Sequence, residues 1–394
     1  DNPVERLQAR LDAGAVKIEH DDRCGYLPCV LRALGVPVSS QTLVFSKTSL
    51  QQAKIGPRNP RALYFNDDVY VGYVRSGDVV ELSVADPALG TVFYTLDQRA
   101  VDRPRFVRQT DDCLICHGGS QTRGVPGHVM RSVYPDPRGQ PIFSAGSHKV
   151  DHTTPLAHRF GGWYVTGSHG AATHLGNITF RKRPAGDDPE DRSGLNLAAV
   201  DDRFDDRGYL TGHSDLVALM VLAHQVTAHN TITRASFDAR TALHREAALN
   251  RELGEPDGHR WPSTDTVLDA AATELVECFL LCDEPRLETP LAGTSGFAAE
   301  FAAVGPRDPQ GRSLREFDLQ TRLFRHPCSF LIYGASFDAL PEELRSRFWA
   351  RMEAALADTR SQGRFSHLSA ADRTTIRAIL AATKPGVPAS WRHP

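Results

Sequence analysis

Short apolar runs that alternate with turn residues dominate the stretch between residues 42 and 96. The runs are rich in Val, Tyr and Phe, and clusters such as Asn66-Asp67-Asp68 separate them. β-Branched and aromatic residues bounded by Gly, Asn, Asp and Pro are typical of strands joined by tight turns. The pattern predicts a sheet with strands at residues 42–45, 62–65, 69–74, 79–84 and 92–94.

The C-terminal half changes to a helical pattern. From about residue 215 to 250 the first turns are apolar almost all round, which predicts a buried helix with Ser214 as its N-cap. The other predicted segments lie at residues 263–282, with Ser263 as cap, and at 314–324, 341–357 and 369–383. Residues 4–20 and 22–40 predict two helices before the sheet.

The middle of the chain is rich in loops. Residues 128–134 and 140–144 flank a Pro-Asp-Pro-Arg-Gly turn, which predicts a hairpin. Residues 163–166 and 177–180 predict strands, and the charged residues 182–208 predict a surface excursion.

These elements predict an α+β fold in three regions. A β-rich region covers residues 1–110, a loop region 111–212, and a helical region 213–394. A chain of 394 residues is long enough to bury a large core and to form two or three domains.

Composition narrows the classes of partner. The net charge of -3 predicts no general attraction to nucleic acid or to an anionic membrane. No apolar run approaches the roughly 18 residues of a transmembrane helix. The chain begins Asp1-Asn2-Pro3, without a Met or an apolar segment, which is typical of a product whose export signal has been removed.

One five-residue motif carries specific chemistry, Cys113-Leu114-Ile115-Cys116-His117. Two thiols three residues apart can each add to a vinyl group of a porphyrin, and the adjacent imidazole can bind the iron. With seven Cys and 16 His in the chain, chance produces this pattern on the order of 0.005 times. The motif therefore predicts one covalent haem c held by Cys113, Cys116 and His117.

Two other interpretations of the cysteine pair stay open. A thioredoxin-like dithiol gives His117 no role and lacks a βαβ context. A zinc site needs a second pair of ligands, and Cys278 and Cys282 have a wider spacing on a predicted helix, where buried free thiols are expected. Cys24 and Cys29 bracket a turn and are candidates for a small disulfide.

The motif, followed by Gly118, resembles the attachment site of c-type cytochromes, and residues 368–380 are similar to the last helix of small class I members. The resemblance implies that His117 is the proximal ligand and that the protein is periplasmic or exported from a bacterium. It covers about 30 residues. The rest departs from the small carriers, because 112 residues precede the motif and only Met130, Met220 and Met352 are available as methionine ligands.

The ligand on the opposite face of the iron is predicted from the buried helix. His224 is the preferred second axial ligand or distal acid–base group, because apolar neighbours would shield the iron. The alternative is a buried imidazole whose nitrogens are satisfied by a carbonyl or by Asn230.

Five loop histidines lie between residues 148 and 174 and form a second candidate set, together with Arg131. We expect His169, His174 and Arg131 to line the distal pocket, where they would move protons and stabilise charge on bound peroxide. The open alternatives are solvated loop histidines, or a second metal site built from His148, Asp151 and His152.

The length of the chain decides between carrier and enzyme. About 100 residues suffice to bury one haem, so the surplus favours a pocket or a docking surface. We expect an exported monohaem oxidoreductase whose partner is peroxide or another small-molecule substrate. The alternative is a six-coordinate electron-transfer cytochrome that serves a redox partner protein. A third possibility, a structural protein without haem, requires that Cys113 and Cys116 stay unmodified.

Overall fold

The computed structural model describes residues 2–182, 194–358 and 363–391. It confirms the α+β prediction, with an antiparallel sheet of seven strands in the N-terminal half and mostly helices in the C-terminal half. The strand order is β6-β5-β4-β3-β2-β1-β9. The strands are β1 (Thr42–Val44), β2 (Arg61–Phe65), β3 (Val69–Val74), β4 (Val79–Asp86), β5 (Gly90–Asp97), β6 (Phe106–Gln109) and β9 (Trp163–Tyr164).

The five strands predicted before residue 96 are all present. The sequence pattern missed β6, whose burial changes from a buried Phe106 to an exposed Val107 and so carries little apolar signal. Strand β9 comes from the predicted loop region 111–212 and pairs with β1, so the sheet crosses that predicted boundary.

The two faces of the sheet are covered differently. One face shares a core with α1 (Pro3–Asp12), α2 (Leu27–Leu34) and the segment that contains Val200, Phe204 and Tyr209. The other face packs against the helical half at β2 and β3, where Phe65 and Tyr70 are buried. Towards β6 this second face is left partly uncovered.

One cross-strand row marks the uncovered part of the second face. Gly72, Glu81, Thr95 and Val107 pair in turn from β3 to β6. Glu81 and Thr95 are half-buried, and Val107 is 55% exposed. We call Glu81, Thr95 and Val107 the half-open row.

The longest helix, α4 (Leu216–Leu253), is buried through its first turns, as predicted. Its cap is Asp215 rather than Ser214, because Asp215 Oδ1 accepts hydrogen bonds from the N–H groups of Val217 and Ala218 at 2.8 and 3.0 Å. Ser214 instead links two strands, accepting from Leu43 N–H and donating to Tyr164 O.

The remaining helices of the C-terminal half are α5 (Pro262–Phe279), α6 (Phe297–Ala303), α7 (Ala335–Asp338), α8 (Glu342–Ala357) and α9 (Ala370–Thr383). Helix α9 begins with a capping box at Ser369. The predicted cap Ser263 is wrong, since Trp261 is the cap and Pro262 takes the first helical position.

The predicted helix at 314–324 is wrong. Asp318 Oδ1 accepts from the N–H groups of Gln320 and Thr321, which turns the chain and brings Phe317 against Phe324. Helix α6 had not been predicted.

Loop predictions were the least accurate. The predicted turn at 135–139 is present, because Pro135 pairs antiparallel with Pro141 and Ile142 N–H donates to Tyr134 O, but the flanking strands are not continuous. β7 (Arg131–Val133) pairs instead with β8 (Ser147–Lys149). Residues 177–180 form no strand, and Asn177 has a positive φ of 67°. The first helix ends at Asp12 instead of residue 20. The predicted excursion at 182–208 lies partly outside the described residues, which omit 183–193.

Within the described ranges, no helix combines the length and the apolar character that crossing a membrane requires.

Candidate functional site

The cysteine motif forms a short helix at the surface, α3 (Asp112–His117), which follows strand β6. Cys113 is half-buried, Cys116 is exposed, and both are free thiols. Ile115 between them is 78% exposed. Residues three apart on a helix lie on the same side, one turn from each other, so both thiols can reach one planar group.

His117 is oriented by a backbone carbonyl. Its Nδ1 lies 2.9 Å from Gly127 O, and because a carbonyl only accepts, Nδ1 is the donor. This fixes the tautomer in which Nε2 carries a lone pair. The ring packs 4.9 Å from the ring of Phe93, and burial lowers the pKa of His117, which favours the neutral imidazole. A histidine that binds a metal through one nitrogen usually donates from the other in this way.

The carbonyl that orients His117 is itself held by α4. Asn230 Oδ1 accepts from His128 N–H at 2.8 Å, and Asn230 Nδ2 donates to His128 O at 2.7 Å. A Cβ at Gly127 would stand 2.3 Å from Asn230 Oδ1, so this position requires glycine. The amide of Asn230 therefore fixes the backbone next to the Gly127 carbonyl.

His128 fastens the same loop to the sheet. Its Nε2 is 2.9 Å from Ser83 Oγ and its Nδ1 is 3.2 Å from Thr91 Oγ1. The ring lies 4.0 Å from that of Tyr70, and burial holds the pKa of His128 well below its ordinary value. Both nitrogens are occupied, so this histidine is an anchor of the loop.

A pair of opposite charges joins Glu81 of the half-open row to Arg61 of β2. Arg61 and Glu81 form an ion pair with an N–O distance of 2.5 Å. Glu81 also accepts from Gln51 Nε2 at 2.9 Å, and the Arg61 guanidinium lies over Gly72, where a Cβ would stand 2.4 Å from a guanidinium nitrogen. Behind the dominant effect of burial, Glu81 raises and Arg61 lowers the pKa of both Cys113 and His117.

The preferred distal residue, His224, lies in the helical core. Its Nε2 is 2.8 Å from Ser329 Oγ, and its ring lies 5.3 Å from that of His152 and 5.9 Å from that of Phe324. Burial holds its pKa well below the ordinary value. Among the described contacts, none joins His224 to His117.

His169 and His174 form a separate pair, with ring centroids 4.7 Å apart. Both nitrogens of His169 are used, since Nδ1 donates to Ala172 O and Nε2 accepts from Asn196 N–H. His174 Nδ1 accepts from Gly176 N–H, and burial lowers the pKa of His174 to about 3.

Arg131 lies in neither group, because it donates to Ser147 Oγ in the β7–β8 ribbon. The described contacts therefore place the four predicted catalytic residues in three locations.

The residues of the alternative metal site point apart. His148 stacks on His158 at 4.8 Å, Asp151 accepts from Thr153, and His152 faces His224. No group of three or more His, Cys, Asp or Glu side chains is arranged for a metal ion within the described ranges.

The other cysteines are thiols. Cys278 and Cys282 are buried, as predicted, and burial raises the pKa of each to about 12. Cys24 and Cys29 are recorded as free, and Cys24 Sγ lies 3.6 Å from Gly208 O.

Comparisons with family models, curated proteins and solved structures found no match for this chain. The site is therefore interpreted from its own geometry. Sequence reasoning missed the charge pair and the amide that holds the loop. A charged Glu81 directly after Val79-Val80 in a predicted strand is a signal that the sequence does show. Its cross-strand partner depends on the strand register, which the sequence does not show.

Proposed function

We propose that the chain is an exported monohaem c-type cytochrome that works as an oxidoreductase on peroxide or another small molecule. The observation that supports it most is the bond from His117 Nδ1 to Gly127 O, which leaves Nε2 as a lone-pair donor beside two reachable thiols. Cys113 and Cys116 would hold the haem by thioether bonds, and His117 would be its proximal ligand. Bound there, the haem would supply one-electron chemistry and a position for a small ligand.

The residues around the motif suit such a group. Asn230 and His128 fix the loop that orients His117, so the imidazole needs no rearrangement to bind. Ile115 in the motif and Val107 in the strand before it expose apolar side chains. The apolar face of a porphyrin would cover such a surface. Arg61 and Glu81 add a donor and an acceptor at its edge.

An electron-transfer role is the second candidate, and the exposure of α3 favours it. Cys116 and Ile115 are exposed, so one edge of an attached haem would be accessible to a partner protein. Neither role uses His224, because its ring lies in the helical core and none of its described contacts joins it to His117.

The test begins with the mass of the protein expressed in a host that attaches haem c. We expect one covalent haem, and an unmodified chain would overturn both candidate functions. The ferric visible spectrum then separates them. A high-spin spectrum that changes with cyanide or peroxide supports the enzyme, and a low-spin spectrum indifferent to these ligands supports the carrier.

The role of His117 is tested by replacement and rescue. A His117→Gly variant should keep its thioether bonds but lose the native ferric spectrum, and added imidazole should restore it. His148→Gly is the matched control, because His148 stacks on His158 outside the motif. If His117→Gly keeps the native spectrum, His117 is not the ligand.

A further inference from the structure

Arg61 has a donor that the protein itself leaves unused. Its Nη2 is bound to Glu81, while its Nε is buried and has no hydrogen-bond partner among the described residues. A buried donor without a partner has lost its hydration without gaining a hydrogen bond, so it is a candidate to bind an acceptor that the chain does not supply.

The surrounding contacts keep this guanidinium in place. Gln51 Nε2 donates to Glu81 Oε1 at 2.9 Å, and Gln51 Oε1 accepts from Asp78 N–H at 2.8 Å, which fixes the carboxylate that holds Arg61. Gly72 provides the space in which the guanidinium lies. The pair is only 19% and 14% exposed at its side chains, so its orientation is set by the protein.

The sheet register places the pair beside the motif. Ser83 pairs with Phe93, whose ring contacts His117, and Glu81 pairs with Thr95 two residues away on the same face. Residues two apart along a strand are separated by roughly 7 Å. Glu81 thus lies on the same face of the sheet as the Phe93 ring that contacts His117, one cross-strand row farther along, on the side where the sheet is half-open.

We propose that Arg61 is the anion-binding residue of the haem site, and that its Nε donates to an anionic acceptor held there. Two sources share this chemistry, a propionate carboxylate of the haem itself and a small anion that arrives from solvent as ligand or substrate. Glu81 and Gln51 are positioning residues for the guanidinium. This inference rests on the proposed haem attachment.

The experiment uses the haem-loaded protein and its Arg61→Gln and Arg61→Lys variants, with fluoride as the anionic probe. Because a hydrogen bond to a charged group is a strong one, we expect fluoride affinity for the ferric protein to fall roughly tenfold or more in both variants. Lys keeps the charge but lacks the planar fork, so it should not restore the affinity. Imidazole, which offers no anionic acceptor, should bind all three proteins alike.

A second measurement distinguishes the two sources. If Arg61 binds a propionate, fluoride affinity stays constant and the pH dependence of the midpoint potential changes in Arg61→Gln. Arg99→Gln is the control, since Arg99 is exposed and forms its ion pair with Asp97 at the end of β5. If neither fluoride affinity nor that pH dependence changes, the inference is wrong. Mass spectrometry on the same samples shows whether haem is attached, so a failure of the proposed function is recognised separately.

Discussion

Two regions of this molecule contain residue types that bind haem iron, one at the surface and the other in the core. The attachment region, α3 with residues 118–128, presents two reachable thiols and an imidazole whose Nδ1 bonds to Gly127 O. The buried cluster, which we define as His152, Arg159, Met220 and His224, lies in the helical core. Its members contact one another and the chain around them, as in the 3.1 Å contact from Arg159 to Met220 Sδ.

The difference shows what distinguishes a prepared ligand from a core residue. In the attachment region a carbonyl bond fixes one ring nitrogen of His117 and leaves the other beside two reachable thiols. In the buried cluster, His224 also has one bonded nitrogen and one without a partner among the described residues, but its ring is enclosed by the core. Burial lowers the pKa of His152 to about 4 and holds that of His224 well below its ordinary value, so each imidazole stays neutral. A histidine in apolar surroundings is therefore weak evidence for an axial ligand.

The largest expected effect comes from removing both thiols of the attachment region. Replacing Cys113 and Cys116 together by Ser should abolish covalent haem, because no thiol remains to add to the vinyl groups. Mass spectrometry and a haem stain of the denatured protein measure it. Cys29→Ser is the matched control, a half-buried thiol outside the motif that should leave attachment intact. Covalent haem in the double variant would contradict the assignment.

The attachment motif was predictable from sequence, and its surroundings were only partly so. Cys113, Cys116 and His117 are contiguous, so their chemistry can be recognised without a fold. Asn230 lies more than 100 residues away, and its contact with His128 depends on how α4 packs against the loop. The strands were predicted well because short β-branched runs encode them locally. The 314–324 helix was wrong because the Asp318 turn and the Phe317–Phe324 contact overrode its apolar spacing.

The next effect tests the buried cluster. Replacing His224 by Ala removes the bond to Ser329 and leaves a cavity beside Phe324, which should lower the free energy of unfolding by about 2–4 kcal/mol. Urea unfolding measures the loss. The ferric spectrum of the folded variant at pH 7 should equal that of the wild type. A change of spin state would instead make His224 an axial ligand and remove the contrast between the two regions.

Replacing Asn230 tests how strongly the attachment region depends on the amide that holds its loop. Replacing Asn230 by Ala leaves the N–H and C=O of His128 without their partners and should cost about 1–3 kcal/mol. A looser Gly127 carbonyl also weakens the bond from His117 Nδ1. A less basic imidazole stabilises ferric iron less, so the midpoint potential should rise.

Asn177 offers a matched control for that variant. Its amide holds Val165 in the same two-bond geometry, with Oδ1 accepting from Val165 N–H and Nδ2 donating to Val165 O, both at 2.8 Å. Asn177→Ala should cost at least as much stability, because Asn177 also donates to Gly194 O and has a positive φ, but it should not move the potential. Equal potentials in both variants and the wild type would mean that Asn230 has a structural role only.

The smallest effect concerns pH and His174. Burial lowers its pKa from 6.5 to about 3. Below pH 6.5 the unfolded chain therefore binds a proton that the folded chain does not bind until the pH approaches 3. The stabilising contribution is complete above pH 6.5 and is lost progressively as the pH falls towards 3. Between pH 7 and 5 the loss from one such histidine is about 2 kcal/mol.

A His174→Gln variant should show a correspondingly smaller fall in unfolding free energy over that interval, measured by urea unfolding at both pH values. His20→Gln, at an exposed ring that bonds to Gln98 O, should leave the wild-type fall unchanged. If His174→Gln also retains the full fall, His174 is already protonated in the folded state and the desolvation argument for the core histidines fails.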